Sequence, residues 1–260
     1  MDLHLAQKVF IVTGGAKGIG AAICTSLANE GAIVMVAGRN KEDNQKMVDA
    51  IVKNKGKASA QSIELSDAEA CKELINFTIE KYGRIDGLIN NAGVNDGVDL
   101  ESGSPERFLE SIHKNLTHYY NLAHFALPHL KSSKGVIINI GSKVAVTGQG
   151  HTSGYAASKG GVNALTREWA AELAPYSIRV NAVIPAEVWT PLYEMWINTL
   201  PNPKEKLEQI VSKIPFEKRF TTSEEIADMV VFLCSSRSSH TTGQIIYVDG
   251  GYTHLDRSLT

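Results

Sequence analysis

The sequence predicts an α/β fold in which a single parallel β-sheet is covered by helices on both faces. Seven short apolar runs alternate with longer amphipathic stretches, and several of these runs are apolar on both faces, as strands buried from both sides are. A regular alternation of strand and helix produces parallel strands joined by right-handed crossovers. A chain of 260 residues can form one such domain, and no break in composition indicates two. We therefore expect one domain over residues 1–260.

Each element is predicted from its own pattern. The predicted strands are Lys8–Val12, Ile33–Ala37, Ala58–Ile63, Asp86–Asn90, Val136–Ile140, Ile178–Ile184 and Gln244–Val248. The predicted helices are Gly18–Glu30, Lys41–Lys55, Asp67–Tyr82, Pro105–Leu130, Ser153–Ala174 and Ser223–Ser235. The pairs Ser66-Asp67 and Thr222-Ser223 are typical of helix caps because acidic residues follow them. Pro128 should kink or end the fourth helix, because proline has no N–H to donate.

Residues 189–214 do not follow this alternation. The segment from Trp189 to Ile214 is rich in proline and aromatic residues and lies late in the chain. Long irregular segments in compact domains are often functional, and active-site lids are one such use. We interpret this segment as an insertion that covers a substrate pocket.

The charge balance indicates a small-molecule partner. The chain has 26 Lys and Arg against 28 Asp and Glu, a formal net charge of -2, which gives no electrostatic reason to expect nucleic acid. No apolar run approaches the roughly 18 residues that a membrane span needs, and the start of the sequence lacks the features of a signal peptide. We expect a cytoplasmic protein that binds neither nucleic acid nor membrane.

The cysteines and histidines do not indicate a metal or disulfide framework. Cys24, Cys71 and Cys234 are odd in number, far apart and without CxxC spacing. The eight histidines show no HExxH or other ligand spacing, so we predict no metal. Redox chemistry in this chain would belong to an organic cofactor.

Tyr155 and Lys159 are the clearest candidates for chemistry. Among the eight tyrosines only Tyr155 has a lysine four residues later, and Ser142 closes an apolar run thirteen residues before it. Residues i and i+4 share one face of a helix. This spacing brings a phenol near an ammonium, with a hydroxyl delivered from a strand end, and therefore predicts a proton-transfer site.

A glycine-rich turn follows the first predicted strand and opens the first predicted helix. It runs from Thr13 to Gly20, and the residues expected at the ligand are Gly14, Lys17, Gly18, Ile19 and Gly20. Glycines in this position permit a tight turn and close approach of backbone N–H groups to a pyrophosphate, which the helix N-terminus also attracts. The spacing is GxxxGxG, not GxGxxG. The turn predicts a dinucleotide site, and with Tyr155 it indicates hydride transfer coupled to proton transfer.

The end of the second predicted strand bears on which nicotinamide cofactor is used. A carboxylate about 20 residues after the glycine turn would bind the ribose 2′-hydroxyl of NAD, whereas an arginine can hold the 2′-phosphate of NADP. The sequence has Gly38 and Arg39 here, and Lys17 supplies a second cation. NADP is favoured. NAD remains possible, with Arg39 covering the adenine.

Several motifs, in order and across nearly the whole chain, resemble the short-chain dehydrogenase/reductase family. They are Thr13–Gly20, Asn90–Gly93, Asn115, Ser142, the Tyr155/Lys159 pair, Pro185 with Thr190-Pro191, and Val248–Gly251. The resemblance implies a Rossmann-like doubly wound sheet with strand order 3-2-1-4-5-6-7, a nicotinamide cofactor and a homotetramer. It also implies a catalytic tetrad of Asn115, Ser142, Tyr155 and Lys159.

The resemblance gives each member of the tetrad a role. Tyr155 would be the general base, and Ser142 would position the substrate oxygen. Lys159, together with the positive nicotinamide ring, would lower the pKa of Tyr155, and Lys159 would also hold the nicotinamide ribose. Asn115 would anchor a water chain behind Lys159. Further cofactor contacts are implied at Glu64, Leu65, Asn91, Ala92, Gly93, Tyr155, Lys159, Pro185, Val188 and Thr190. Ala186 stands where the family usually has glycine, so we expect that loop to follow a somewhat different path.

Polar and aromatic residues near the tetrad and in the insertion are candidate substrate contacts. They are Gln149, His151, Glu187, Trp189, Tyr193 and Trp196. Hydrogen-bonding groups mixed with flat apolar faces suit a sugar, although the aromatic residues are equally typical of packing.

A closer resemblance narrows the expected substrate. The stretches 94–97, 147–150, 181–193 and 250–257 resemble the bacterial L-fucose dehydrogenase branch, which implies oxidation of an aldose at C1 to the lactone. Two other enzyme activities stay open, a 3-oxoacyl thioester reductase and a hydroxysteroid dehydrogenase. A non-catalytic cofactor-binding sensor is the alternative outside the enzymes.

Overall fold

The computed structural model describes residues 1–256 and is built on one seven-stranded sheet in which every pairing is parallel. The strands are β1 (Val9–Thr13), β2 (Ile33–Gly38), β3 (Lys57–Ser62), β4 (Gly87–Asn90), β5 (Val136–Ile140), β6 (Arg179–Pro185) and β7 (Ile245–Val248). Their spatial order is 3-2-1-4-5-6-7. The predicted fold class and strand order are confirmed, and the predicted strand ends differ by about one residue, as helix and strand boundaries commonly do.

Nine α-helices accompany the strands within residues 1–256. They are α1 (Gly18–Asn29), α2 (Lys41–Lys53), α3 (Ala68–Tyr82), α4 (Pro105–Ile112), α5 (His118–Ser133), α6 (Ser153–Leu173), α7 (Pro191–Ile197), α8 (Pro203–Ser212) and α9 (Ser223–Cys234). Two hydrophobic clusters form the core: one joins α1 and α9 to the sheet, and the other joins α3, α5 and α6 to it. This is the arrangement that strands apolar on both faces require.

Both predicted helix caps are present. The Asp67 side chain accepts the Glu69 amide at the start of α3, at 2.9 Å. Thr222 and Glu225 form a reciprocal capping box at the start of α9, which satisfies two amides that the helix leaves without partners.

The fourth predicted helix differs from its prediction in two ways. A π-helical turn over His113–Thr117 divides it into α4 and α5, and α5 continues past Pro128 to Ser133. Of the two predicted effects of Pro128, an end of the helix was wrong, and a kink stays a prediction. Pro128 is exposed, so water can hydrogen-bond the carbonyl that lacks its N–H partner, and the buried face of α5 keeps its packing. The π-turn contains Asn115, and such turns often lie at functional sites.

The segment predicted as an insertion folds as α7 and α8, each with a proline at its first turn. Trp189, Leu192, Met195 and Trp196 are all at least 40% exposed, so this segment presents an apolar surface. Within residues 1–256, none of the helices combines the length and apolar character needed to cross a bilayer. In the same part of the chain, no group of three His, Cys, Asp or Glu side chains has metal-binding geometry.

Candidate active site

The candidate site lies where parallel strands end. The glycine turn follows β1, residues 91–93 follow β4, Ser142 follows β5, Glu187 follows β6, and Tyr252 follows β7. In an open parallel sheet these carboxyl ends share one edge, and ligands bind in the crevice outside it. The fold therefore brings together segments that are far apart in sequence.

The glycine turn is held against the loop after β4. The Thr13 hydroxyl accepts the amides of Asn91 at 2.9 Å and Ala92 at 3.0 Å, and the Asn91 side chain donates to the Thr13 carbonyl at 2.9 Å. A methyl group on Gly20 would collide with the Gly14 carbonyl oxygen. The glycine turn and the loop after β4 thus form one continuous surface, and a ligand bound to this surface can approach the backbone of the turn closely.

The N-terminus of α1 fits a pyrophosphate. The helix has no side-chain cap at Lys17 and no acidic residue in its first turn, whereas Asp67 and Thr222 cap α3 and α9. The first amides of α1 are therefore left for a ligand, and the helix dipole favours a negative one. Gly18 has φ 53° and lies against Thr190, where an added Cβ would stand 3.2 Å from the Thr190 methyl group. Ile19 is half-buried beside it.

The groups expected near the adenosine differ in their availability. Arg39 is exposed at the end of β2. The Lys17 ammonium is paired with the Asp43 carboxylate of α2 at 2.6 Å, so its charge is partly offset. The Glu64 carboxylate accepts the Ser66 hydroxyl at 3.0 Å, and Leu65 is buried. The structure places Arg39 as a cation without an ion-pair partner among residues 1–256.

The loop after β6 runs beside the glycine turn. Pro185 ends β6 and is buried, and Val188 is buried and bridges to Thr221. The Thr190 hydroxyl caps α7 by accepting the Tyr193 amide at 3.2 Å. Ala186 has an ordinary negative φ, so this loop does not use the conformation that only glycine adopts freely.

Tyr155 and Ser142 come together as the spacing predicts. Burial raises the pKa of Tyr155, and interaction with the Ser142 hydroxyl lowers it by less, so the pKa lies above that of a free tyrosine. The Ser142 hydroxyl also accepts the Val144 amide at 3.4 Å. The protein alone therefore keeps Tyr155 as a neutral phenol.

Lys159 is buried, and its ammonium donates hydrogen bonds to two protein groups. Its Nζ donates to the Ile140 carbonyl at 2.8 Å and to the Tyr119 hydroxyl at 3.1 Å, and it lies 5.6 Å from the centre of the Tyr155 ring. Burial lowers the pKa of Lys159 to about 7. Burial disfavours the charged forms of both Lys159 and Tyr155. That Lys159 and the positive nicotinamide ring together lower the pKa of Tyr155 stays a prediction.

Asn115 is fully buried, and its side chain binds backbone groups. Its amide donates to the Ser111 carbonyl at 3.0 Å, and its Oδ1 accepts the Val94 amide at 2.7 Å. A Cβ on Gly93 would stand 3.0 Å from Asn115 Oδ1 and 3.6 Å from Lys159 Nζ. Asn115 thus fixes the loop after β4 beside Lys159, and its Oδ1 is already engaged with protein.

A buried polar cluster lies next to Ser142. The Lys143 ammonium forms an ion pair with the Glu187 carboxylate and lies 4.1 Å from the centre of the Tyr252 ring. The Tyr193 hydroxyl is buried beside Glu187 without a well-formed hydrogen bond, and burial together with that carboxylate raises the pKa of Tyr193. We call Lys143, Glu187, Tyr193 and Tyr252 the polar cluster.

The other predicted substrate residues are less well placed. Gln149 and His151 are exposed, and His151 pairs with Asp99 at 3.2 Å. Trp189 and Trp196 pack against Tyr193, and both are partly exposed on the α7 surface. Glu187 and Tyr193 are brought together, whereas Gln149 and His151 lie at the surface.

Four residues of the site were not predicted from the sequence: Lys143, Tyr252, His118 and Tyr119. Lys143 directly follows Ser142, and Tyr252 lies in the 250–257 stretch, whose Arg257 falls outside the described residues. From the sequence alone, Lys143 is typical of an exposed lysine, because its carboxylate partner Glu187 is identified only by the fold. His118 and Tyr119 follow the π-turn at Asn115, which the helical pattern did not reveal.

Comparison with known proteins decides the family. A family model described as enoyl-(acyl carrier protein) reductase matches residues 14–253. The 3-oxoacyl-[acyl-carrier-protein] reductase FabG of Thermotoga maritima is 37% identical over 96% of this chain and 99% of its own length. This chain belongs to the short-chain dehydrogenase/reductase family. As a short-chain dehydrogenase/reductase it is an NAD(P)-dependent oxidoreductase acting on CH-OH donors.

Other short-chain dehydrogenases/reductases similar to this chain differ in substrate. L-fucose dehydrogenase of Bos taurus is 33% identical over 96% of this chain and 91% of its own length. The crystal structure of Cj0485 dehydrogenase has a TM-score of 0.94 and 45% identity, covering 100% of this chain and 99% of that one. The aldohexose dehydrogenase of Thermoplasma acidophilum has a TM-score of 0.88 and 30% identity, covering 98% of both chains. The shared features are the fold and the reaction type.

Proposed function

We propose that this enzyme oxidises the C1 hemiacetal hydroxyl of an aldose, with L-fucose or a configurational relative such as D-arabinose as substrate, and releases the lactone. The observation that carries the proposal is the polar cluster beside Ser142, because a buried ion pair with two phenols suits a polyhydroxylated molecule. The likeness to L-fucose and aldohexose dehydrogenases supports the same substrate class.

Tyr155 and Ser142 are the groups that we assign to proton transfer. The Ser142 hydroxyl holds the C1 oxygen, and Tyr155 takes the proton of that hydroxyl as the C1–H bond breaks. The nicotinamide cofactor, when bound, supplies the acceptor for the hydride and a positive charge near Tyr155. That charge favours the phenolate, which burial in the protein alone disfavours. Tyr155 accepts the proton from the substrate hydroxyl. Lys159 and Asn115 support Tyr155 from deeper in the protein.

The polar cluster provides recognition of the remaining sugar hydroxyls. A carboxylate accepts hydrogen bonds from two adjacent hydroxyls, and an ammonium donates to them. Glu187 and Lys143 do both while neutralising each other in a buried setting. A site built to hydrogen-bond a hydroxyl strongly disfavours a substrate that lacks it, because its buried polar groups would then lose their partners. The cluster thus favours aldoses over apolar steroids.

The cofactor proposal is NADP. Arg39 is exposed at the end of β2 and is free of an ion-pair partner among residues 1–256, so its guanidinium is available to a 2′-phosphate. Gly14, Gly18, Gly20, Asn91, Ala92 and Gly93 form the surface proposed for the pyrophosphate and adenosine. The ion pair with Asp43 partly neutralises Lys17, the second cation, so NAD is kept as the alternative cofactor.

We also propose a lid, an assembly and a location. Residues 189–214, with the exposed rings of Trp189 and Trp196, would close over the substrate. Phe108, Leu109 and Tyr120 are exposed apolar side chains on α4 and α5, and they would be covered in a homotetramer. All three cysteines are buried free thiols, which fits the reducing cytoplasm.

One alternative has a specific observation in its favour. FabG of Thermotoga maritima is 37% identical, so reduction of a 3-oxoacyl thioester is the second candidate. Hydroxysteroid dehydrogenase activity and a non-catalytic cofactor sensor are the remaining alternatives. An apolar pocket would favour the steroid, whereas Lys143 and Glu187 give the candidate site buried charges.

The test is an assay of the purified protein with NADP and NAD against aldoses, hydroxysteroids and 3-oxoacyl thioesters. The proposal predicts reduction of NADP with L-fucose or D-arabinose and a lactone as product. Turnover of the thioester without turnover of any aldose would replace the sugar proposal with the second candidate. Cofactor binding without turnover of any substrate would favour the sensor.

A further inference from the structure

Tyr119 occupies the space behind Lys159. Its ring is fully buried, and its hydroxyl accepts a hydrogen bond from Lys159 Nζ at 3.1 Å while donating to the Ile140 carbonyl at 3.0 Å. Lys159 donates to the same carbonyl at 2.8 Å. The two side chains and one carbonyl at the end of β5 form a closed set of three hydrogen bonds.

This arrangement uses two of the three donors of the ammonium. A lysine has three N–H groups, and the two bonds to Tyr119 and Ile140 leave the third for a ligand. Lys159 Nζ lies 3.6 Å from the point where a Gly93 Cβ would stand, so it borders the loop proposed to contact the cofactor. The hydrogen bonds to Tyr119 and Ile140 therefore hold the Lys159 ammonium beside the loop that is proposed to contact the cofactor.

The Asn115 side chain does not hydrogen-bond the Lys159 ammonium, because its polar atoms are already bonded elsewhere. Both ends of its amide bind backbone groups, Val94 on one side and Ser111 on the other. The resemblance to the family implied that Asn115 anchors a water chain behind Lys159, and this stays a prediction. The structure shows a direct hydrogen bond from the Lys159 ammonium to the Tyr119 hydroxyl.

We infer that Tyr119 is a positioning residue that stabilises the charged form of Lys159 by a direct hydrogen bond and so sets the pH range in which Tyr155 works. The inference rests on the proposed function for its effect on catalysis. It concerns the hydroxyl of Tyr119 only, since the ring would pack equally well without it.

The titratable surroundings of Lys159 make this hydroxyl important. Among residues 1–256 the titratable groups beside it are Tyr155 on its own helix and His118 and Tyr119 on α5, while β5 contributes only the Ile140 carbonyl. Within the described part of the chain, no carboxylate contributes to the shift of the Lys159 pKa, which burial lowers to about 7. Because none of these neighbouring groups carries a negative charge that would stabilise the ammonium, each hydrogen-bond acceptor contributes substantially to the stability of the charged form of Lys159.

Tyr119→Phe removes one acceptor and keeps the ring. A hydrogen bond to a charged group is strong enough to move a pKa by about one unit, so the titration midpoint of Lys159 should fall by about that much. The neighbouring Tyr120→Phe is the matched control, because Tyr120 is exposed. Tyr119→Met is a second variant that fills the space with a flexible apolar chain and should lower the midpoint in the same direction.

The midpoint is measured by NMR titration of protein labelled with isotope-enriched lysine, with the Lys159 signal assigned by its loss in Lys159→Arg. This readout needs neither substrate nor cofactor. A lower midpoint in both Tyr119 variants, with no change in Tyr120→Phe, supports the inference. An unchanged midpoint in both Tyr119 variants overturns it and makes Tyr119 a packing residue.

The pH profile of turnover then connects the hydroxyl to catalysis. With less positive charge on Lys159, Tyr155 loses phenolate, so the acidic limb of kcat/KM should move to higher pH by up to about one unit in Tyr119→Phe. An unchanged limb would overturn the catalytic part of the inference. If no substrate is turned over by the unsubstituted protein, the proposed function fails while the NMR titration still decides the role of Tyr119.

Discussion

Lys143 and Glu187 form a buried ion pair that joins the residue after Ser142 to the loop after β6. Their side chains are each 10% exposed. The pair connects the carboxyl ends of β5 and β6, and the ring of Tyr252 covers the ammonium from the end of β7. One ion pair and one ring contact thus connect three of the segments that surround the candidate site.

Glu187→Gln should destabilise the protein, because it leaves the Lys143 ammonium buried without an opposing charge. Loss of one partner of a buried pair typically costs about 3 kcal/mol or more in the free energy of unfolding. Urea denaturation measures this loss. The control Glu217→Gln breaks an exposed pair with Arg219 and should cost less than about 1 kcal/mol.

The double variant Lys143→Met, Glu187→Leu separates the contribution of the ion pair to protein stability from its contribution to substrate binding. Removing both charges should restore most of the stability, while KM for the aldose rises because the hydroxyls lose their partners. A double variant with unchanged KM would mean that the pair supports the fold and does not contact the substrate.

Arg39→Ala should weaken binding of NADP and leave binding of NAD nearly unchanged. A charge-assisted hydrogen bond to a phosphate is worth about 1.5–3 kcal/mol, so the Kd for NADP should rise at least about tenfold. Lys41→Ala, a nearby exposed lysine, is the control. Equal weakening of both cofactors would instead assign Arg39 to covering the adenine.

Asp43→Asn is the complementary change. It frees the Lys17 ammonium from its ion pair, so NADP should bind more tightly while NAD changes little. Isothermal titration calorimetry with the two cofactors measures both effects. Unaltered NADP affinity would show that Lys17 lies out of reach of the 2′-phosphate.

His118 should make the protein sensitive to acid. Burial, and then the charge of Lys159, lower its pKa from 6.5 to about 3. The unfolded chain therefore binds more protons between these values, and the free energy of unfolding should fall as pH drops from 6.5 towards 3, by up to about 1.4 kcal/mol per unit from this group.

His118→Gln should flatten that decline, because the uncharged amide does not titrate. His124→Gln removes an exposed histidine of the same helix and should leave the decline as it is. Denaturant unfolding at a series of pH values gives the comparison. The same slope in all three proteins would contradict a buried neutral imidazole at position 118.

The sequence was sufficient for most of the fold. Strands buried on both faces, such as β5, are typical of the interior of a parallel sheet, and β5 has the bounds that its apolar run predicts. Pro128 shows the limit of a local rule: an exposed proline is tolerated when the rest of α5 stays packed. The π-turn at Asn115 left no trace in the hydrophobic pattern.

The candidate site was predictable where function follows from spacing along one element. Tyr155, Lys159 and the glycine turn are of this kind. Lys143 was not, because its burial depends on Glu187, which is far away in sequence and comes close only when β5 and β6 pair. Gln149 and His151 were chosen by closeness in sequence to Tyr155, yet their loop lies at the surface.

The most direct test of the central claim is turnover of Tyr155→Phe with NADP and L-fucose, measured beside NADP binding by calorimetry. Tyr176→Phe, an exposed tyrosine, is the control. General base catalysis contributes about 10²–10⁴ in rate, so Tyr155→Phe should lose at least about a hundredfold in kcat while its NADP affinity stays close to that of the unsubstituted protein. Turnover within a few-fold of the unsubstituted enzyme would contradict the account, because the proton would then leave through another group.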